Sequence, residues 1–353
     1  MKLFVLIFLC QLGRTVLCAQ PGKNSLDSLF SAFNNPQTPG ASVLVIKDGK
    51  KIYEKSFGFA NLENRIPATQ FTNYRLASVT KQFTAMCIMM LVEKHMVSLE
   101  DPLIKFFPVL PSYAGQITLR HLLNHSSGIA DYGALIPPET IRPLSDTDVL
   151  NLVKKQDTTY FKPGERFEYS NTAYVLLGLI IGKVSGIPFK DFLRRNIFSP
   201  LKMDNTTVND PDSEIHSRAY GYSEEEKKFT RTDQSLTSYT LGDGGIYSSV
   251  EDLFKWDQAL YSTRLIKKST LEQMFTVSTP FDKKNPGVGY GFGWFIEEKN
   301  DGKLIYHGGS SIGFTSFIER IPDQRLTIII LTNRQNADLR PIRIKLENLY
   351  AKE

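Results

Sequence analysis

Ser78-Val79-Thr80-Lys81-Gln82-Phe83-Thr84-Ala85-Met86-Cys87-Ile88-Met89-Met90-Leu91-Val92 sets a hydroxyl and an amine three positions apart, directly ahead of an apolar run. Neither Pro nor Gly occurs in residues 79–96, so the stretch predicts a helix opened by Ser78. Residues three apart share a helix face, and a helix start points backbone N–H groups at incoming negative charge. A serine hydroxyl is a poor nucleophile until its proton is removed. A lysine held in a dry, positively biased pocket loses enough basicity to remove it. The stretch therefore reads as part of a covalent serine enzyme.

Outward from it, an amphipathic segment at 26–33 precedes an alternating run at 42–46, the turn Asp48-Gly49 and a run at 51–57, which predict a β-hairpin. Further strands are predicted only near the other end. They cover 293–297, 303–307 after a turn at Asp301-Gly302, 314–321, and 326–332 after Pro322-Asp323, with a helix over 342–350. Between the ends lie helical patterns at 82–95, 119–124, 146–155, 173–184 and 189–197. Strands gathered from both ends around a helical middle predict a discontinuous α/β lobe with an inserted, mainly helical lobe. The α/β lobe takes about 20–75 and 240–353 and the helical lobe about 76–239, with a cleft between them.

Two further motifs carry chemistry. Tyr169-Ser170-Asn171 is the only Tyr-x-Asn in the chain. A phenol beside an ammonium gives up its proton more readily, so Tyr169 and Lys81 can share the proton of Ser78 and return it to a leaving group. The Asn171 amide suits holding Lys81 and a substrate carbonyl. His307-Gly308-Gly309-Ser310 closes the strand predicted at 303–307, and paired glycines allow close backbone approach to a ligand or its oxyanion. A second Ser-x-x-Lys, Ser199-Pro200-Leu201-Lys202, is read as a helix end, because Pro200 and the following Met203-Asp204-Asn205 break the pattern.

Taken in order, Ser78-x-x-Lys81, Tyr169-x-Asn171 and His307-Gly308-Gly309 resemble the class C β-lactamase and penicillin-binding serine hydrolase family, with its D-Ala-D-Ala carboxypeptidase and esterase relatives. The likeness extends through Tyr74-Arg75-Leu76-Ala77, Leu119-Arg120-His121-Leu122-Leu123-Asn124-His125-Ser126-Ser127-Gly128, Phe161-Lys162-Pro163-Gly164 and Gly244-Gly245-Ile246-Tyr247-Ser248-Ser249. It implies an α/β (α+β), β-lactamase/transpeptidase-like fold, with an antiparallel sheet built from both chain ends and flanked by helices, Ser78 as acylated nucleophile, and Lys81 with Tyr169 as its base system. It further implies Asn171 positioning substrate, backbone N–H groups of Ser78 and Ser310 as oxyanion hole, and no metal or cofactor. Many members carry Lys-Thr-Gly at the third motif. Here His307 keeps a donor or partial positive charge, while Gly308 lacks the hydroxyl that helps hold a substrate carboxylate. The expected activity is hydrolysis of an ester, a peptide-like amide or a β-lactam through an acyl-enzyme. The competing reading is an inactive binding or scaffolding protein on the same fold.

Rival sites are weaker. Ser311 in Gly309-Ser310-Ser311-Ile312-Gly313 fits the Gly-x-Ser-x-Gly elbow, yet a strand pattern follows and no His comes after His307. His121 and His125 are four apart, but no Glu follows His121 and no third ligand shows, so packing and capping are expected. Glu224-Glu225-Glu226 with Lys227-Lys228 reads as a solvated loop.

Composition sets the outer bounds. The 353 residues are 41% hydrophobic, ample for a large core. Met1-Lys2 and the apolar stretch 3–9 read as a signal peptide over 1–19, cleaved near Ala19, with export to periplasm or medium. Gln11 and Arg14 interrupt that stretch short of the ~20 residues of a spanning helix, and an uncleaved leader would leave the chain membrane-associated. Cleavage removes Cys10 and Cys18, leaving Cys87 as a lone core thiol with no disulfide partner. It also lowers the formal charge from +5 by the two units of Lys2 and Arg14. Acids and bases are mixed along the rest, which predicts neither nucleic acid nor an anionic membrane as a partner. The expected partner is a small-molecule or peptide-like substrate.

Overall fold

Asp48 (φ 51°) and Gly49 (φ 74°) both adopt the left-handed conformation that a two-residue hairpin turn of right-handed twist demands. In the computed structural model, which describes residues 26–211, 214–299 and 302–351, they join β1 (Ala41–Lys47) to β2 (Lys50–Phe57). The leader read at 1–19, with Cys10 and Cys18, and Asp301 of the second Asp-Gly turn lie outside the described residues. Six strands from the other end complete the sheet: β3 (Thr279–Asp282), β4 (Asn285–Tyr290), β5 (Phe295–Lys299), β6 (Gly302–Ser311), β7 (Phe314–Ile321) and β8 (Leu326–Thr332). The order is β3-β4-β5-β6-β7-β8-β1-β2, every neighbour antiparallel, so the two chain ends meet where β1 pairs with β8.

The apolar runs of β1 and β8 follow from burial on both faces. Val43, Val45, Ile328 and Ile330 pack on Leu26, Phe30, Ile342 and Leu346, while Leu44, Ile46, Ile329 and Leu331 enter the opposite core. Each fully buried aliphatic side chain there contributes about 2 kcal/mol.

Among the described residues the α-helices of five or more residues are α1 (Lys81–Glu93), α2 (Leu119–Leu123), α3 (Asp146–Val153), α4 (Asn171–Ser185), α5 (Phe189–Leu193, continued by a π turn Arg194–Phe198), α6 (Val250–Ala259), α7 (Lys268–Met274) and α8 (Arg340–Tyr350). The middle of the sequence supplies the first five, as expected. Helix α1 is buried from Lys81 to Leu91, including Cys87. Phe83 stacks on Trp256 of α6 at 4.2 Å, and the Trp256 indole N–H donates to Gln82 Oε1. Helix α6 is tied to the sheet by a buried ion pair: Asp257 Oδ1 accepts from Arg320 Nε of β7 at 2.8 Å and from Thr327 Oγ1 of β8 at 2.7 Å.

Several expectations need correction. Ser78 does not open the α-helix: it sits in a 3₁₀ turn, Ala77–Thr80, and α1 begins at Lys81. The third motif does not end its strand, because β7 stays paired with β6 from Ile305 to Ser311 and carries the backbone straight through Gly308 and Gly309. Strands β3 and β4 and helices α6 and α7 were not expected. The acidic run is solvated as expected, but it belongs to a hairpin, Tyr222–Glu225 with Lys228–Arg231, whose turn residues Glu226 and Lys227 are left-handed. Among the described residues no single helix is long and apolar enough to cross a membrane.

Candidate active site

The turn bearing Ser78 is clamped from two sides. Leu76 N–H donates to Ile246 O, and Ile246 N–H donates to Thr80 Oγ1, fixing the turn to the short strand Ile246–Ser248. Ser316 Oγ of β7 donates to Leu76 O at 2.7 Å. Strand β6 can pass this close only because position 309 is glycine: a Cβ there would lie 2.2 Å from Leu76 O and 2.3 Å from Ser316 Oγ. Ala77, with φ 48°, holds strained backbone directly before Ser78.

Lys81 is fully buried, and its Nζ has three oxygen neighbours: Ser78 Oγ at 3.2 Å, Asn171 Oδ1 at 2.9 Å and the backbone O of Asp243 at 2.9 Å. A neutral amine has only two N–H donors. The Asn171 and Asp243 carbonyls can take both, which turns the lone pair toward the Ser78 hydroxyl. Asn171 is fixed in turn as the first residue of α4. Ser170 Oγ caps the helix by accepting from Ala173 N–H, and Asp131 accepts the Asn171 N–H at 2.6 Å and the Gly133 N–H at 3.0 Å. The loop that presents the Asp243 carbonyl is held by Asp146, which accepts from Leu241 N–H at 2.9 Å, and by Tyr132, whose O–H donates to Asp243 Oδ2. Burial pushes the Asp146 carboxyl up to about 8.

Tyr169 faces Lys81, whose Nζ lies 4.9 Å from the ring centroid. Behind it the His125 ring packs at 4.3 Å, and His125 Nδ1 accepts the Ser170 N–H at 3.1 Å, so His125 sets the position of the Tyr169-Ser170-Asn171 segment. His307 belongs to the same cluster. Gly308 O can only accept, so the Nδ1 2.7 Å away carries the imidazole proton, and Nε2 accepts from Tyr290 O–H at 2.9 Å. Burial first, and the Lys81 charge second, lower His307 to about 3. Of the two alternatives expected for His307, burial disfavours the positive charge, while the donor is kept but spent on Gly308 O, so both ring nitrogens are engaged.

Ser78, Tyr169, Asn171, His307, Gly308, Gly309 and Ser310 line one cavity of about 720 Å³, with Lys81 beneath its floor. The three motifs thus converge. Strand β5 pairs with β6 only as far as Phe295 opposite Tyr306, so from His307 onward that edge of β6 has no strand beside it. Ser311 also borders the cavity, but its Oγ meets only Ile312 O, at 3.5 Å, and a turn leads straight into β7. Lys202 (φ 58°) ends the short helical turn Ser199–Leu201, so the second Ser-x-x-Lys is a chain reversal. His121 Nδ1 accepts from Thr118 N–H in a capping box, and among the described residues no group of three or more His, Cys, Asp or Glu could hold a metal ion.

Sequence reasoning missed Asp131 and Asp243 and gave His125 only a packing and capping role. Asp243 stands in Gly242-Asp243-Gly244-Gly245, directly ahead of a stretch that carries the family likeness, which was the available signal.

Known proteins resemble this chain over most of its length. The beta-lactamase family model matches residues 26–352. Penicillin-binding protein 4* of Bacillus subtilis (strain 168) is 33% identical over 333 residues, 90% of this chain and 73% of that protein. The octameric penicillin-binding protein homologue from Pyrococcus abyssi superposes with a TM-score of 0.81 at 31% identity, covering 94% of this chain and 78% of that one. D-amino acid amidase from Ochrobactrum anthropi SV3, solved with L-phenylalanine amide, gives 0.78 at 26% identity over 92% and 95%. The expected β-lactamase/transpeptidase-like fold is the one found, and the chain belongs to the beta-lactamase family as a serine hydrolase.

Proposed function

We propose that this hydrolase works through an acyl-enzyme formed on Ser78, with an ester, a peptide-like amide or a β-lactam as acyl donor. The observation that carries the reading is the approach of Lys81 Nζ to within 3.2 Å of Ser78 Oγ while two carbonyls hold its other donors. Lys81, with Tyr169, takes the Ser78 proton as Oγ attacks the substrate carbonyl carbon. The resulting oxyanion is received by the backbone N–H groups of Ser78 and Ser310, each worth roughly 3 kcal/mol. The leaving group departs with the proton, and water attacks the ester of Ser78 with the same groups in the same roles. Asn171 orients both Lys81 and the substrate.

The neutral His307 and the bare Gly308 favour an ester or an amide without a terminal carboxylate over D-Ala-terminated peptides. The names of the similar proteins, penicillin-binding and D-amino acid amidase, support a β-lactam or an amide as acyl donor. We also propose export through the segment 1–19, to be checked by sequencing the N-terminus of the mature protein.

The test is covalent labelling by a fluorophosphonate or a penicillin-type probe. Labelling is expected in the wild type and absent in Ser78→Ala; undiminished labelling of that variant would sink the assignment. A folded wild type that neither takes up label nor hydrolyses a broad ester, amide and β-lactam panel would favour the binding or scaffolding reading.

A further inference from the structure

Phe281 is 42% exposed although it is large and apolar, and it stands on β3, at the outer edge of the sheet. Its ring is 4.6 Å from that of Phe167, in the loop leading to Tyr169, and 5.9 Å from that of Phe295. Phe295 lines the catalytic cavity, 5.0 Å from the His307 ring and within 5° of parallel to the Tyr169 ring at 6.4 Å. An aromatic surface therefore runs from solvent at Phe281 to the group proposed to move the proton. Isolated apolar side chains on a surface need no explanation, but a connected aromatic patch opening into a catalytic cavity marks a binding surface.

We propose that Phe281, Phe167 and Phe295 form a subsite for the leaving group, and that this group is an uncharged aromatic one. The inference rests on the roles proposed for Ser78 and Tyr169. A leaving group must collect its proton from the Lys81 and Tyr169 pair, so it sits on the Tyr169 side of Ser78, where the aromatic shelf lies. The acyl carbonyl, directed at Ser310, occupies the other end of the free β6 edge. Strand β5 begins at Phe295 and ends that edge beside His307, so a group leaving along it meets the shelf. The charges agree with an uncharged ligand. His307 has no nitrogen to spare and Gly308 no side chain. The charged residues bordering the cavity are Arg75, Asp131 and Asp243, and Arg75 is only 3% exposed, with Nη2 donating to Ser238 O. Arg166, the exposed cation next to Phe167 in the chain, is already paired with Glu165 and Glu168, so a carboxylate on the leaving group would find no unpaired, accessible cation among Arg166 and the residues bordering the cavity.

The test compares 2-phenylethyl acetate with propyl acetate, which share the acyl group and have leaving alcohols of similar acidity but differ in the ring. Wild type should show a kcat/KM at least about tenfold higher for the aromatic ester, and Phe281→Ala, a change at an exposed edge position, should lower that ratio about tenfold. A wild-type ratio near one, or a ratio that Phe281→Ala leaves in place, overturns the proposal. If neither ester turns over, protection of Ser78 from fluorophosphonate labelling decides. 2-Phenylethanol should protect at a concentration at least about tenfold below that of propan-1-ol, and equal concentrations overturn the subsite. Labelling that survives Ser78→Ala counts against the nucleophile assignment alone, whereas a ratio near one removes the subsite and leaves Ser78 standing.

Discussion

Lys81 Nζ donates to Asn171 Oδ1 over 2.9 Å, across 90 positions of chain, and this contact fixes where the amine sits beneath Ser78. Asn171→Ala should lower kcat by up to about tenfold, the worth of roughly 1.5 kcal/mol for a neutral hydrogen bond that positions the base. Asn171→Asp keeps the shape but sets a carboxylate against the amine, which favours the ammonium and disables the base. It should be the worse of the two. Steady-state kinetics of both variants checks this, and an aspartate variant more active than the alanine one would contradict the base role.

The two glycines of the third motif should respond oppositely. Gly309→Ala forces a methyl against Leu76 O and should push β6 off the Ser78 turn, with loss of most activity. A Cβ on Gly308 would make only ordinary contacts, 3.6 Å from Phe317 Cδ2 and 3.9 Å from Ser316 O. Gly308→Thr should therefore fold with a stability change of less than about 1 kcal/mol, and its hydroxyl should raise turnover of carboxylate-bearing substrates about tenfold. Denaturation midpoints and a paired substrate series read both effects.

His307 makes stability depend on pH. Its folded-state value of about 3 lies below the ordinary 6.5, so below pH 6.5 the unfolded chain takes up a proton that the folded state refuses. The contribution is complete above pH 6.5 and is lost as pH falls toward 3, reaching about 2 kcal/mol lost at pH 5. Burial lowers His125 in the same direction, which adds to the loss. In urea titrations, the stability gap between wild type and His307→Asn should narrow by about 2 kcal/mol from pH 7.5 to pH 5. A gap independent of pH would show that the imidazole is not held neutral.

Asp257 and Arg320 are 0% and 1% exposed, so removing one leaves the other charge buried without its partner. Asp257→Ala should cost about 3–5 kcal/mol, far more than loss of an exposed pair such as Lys268 with Glu272. Chemical denaturation of the two single variants provides the comparison.

The parts that were legible in the sequence are those fixed by near neighbours. Ser78 and Lys81 meet because their spacing makes them meet, and Asp48-Gly49 announces the first hairpin by its own backbone needs. Strands β3 and β4 gave no such signal: Pro280, Gly287 and Gly289 spoil the alternation, and their pairing depends on the sheet they join. The third partner of Lys81 was hidden for a different reason. It is a backbone carbonyl, and no side chain at position 243 advertises what the main chain does there. The charge state of His307 was also out of reach, since residue type alone suggested a donor and only burial among Tyr290, Phe295 and Tyr169 makes the ring neutral.

The three oxygens around Lys81 come from residues 3, 90 and 162 positions along the chain, and the wall that closes over them is β6, later still. A polypeptide still emerging from the ribosome can hold the serine and the amine before any of the distant carbonyls that hold the amine in place. The amine is held in place only where these distant segments have come together, so hydrolysis of a simple substrate should double as a report that the chain has folded.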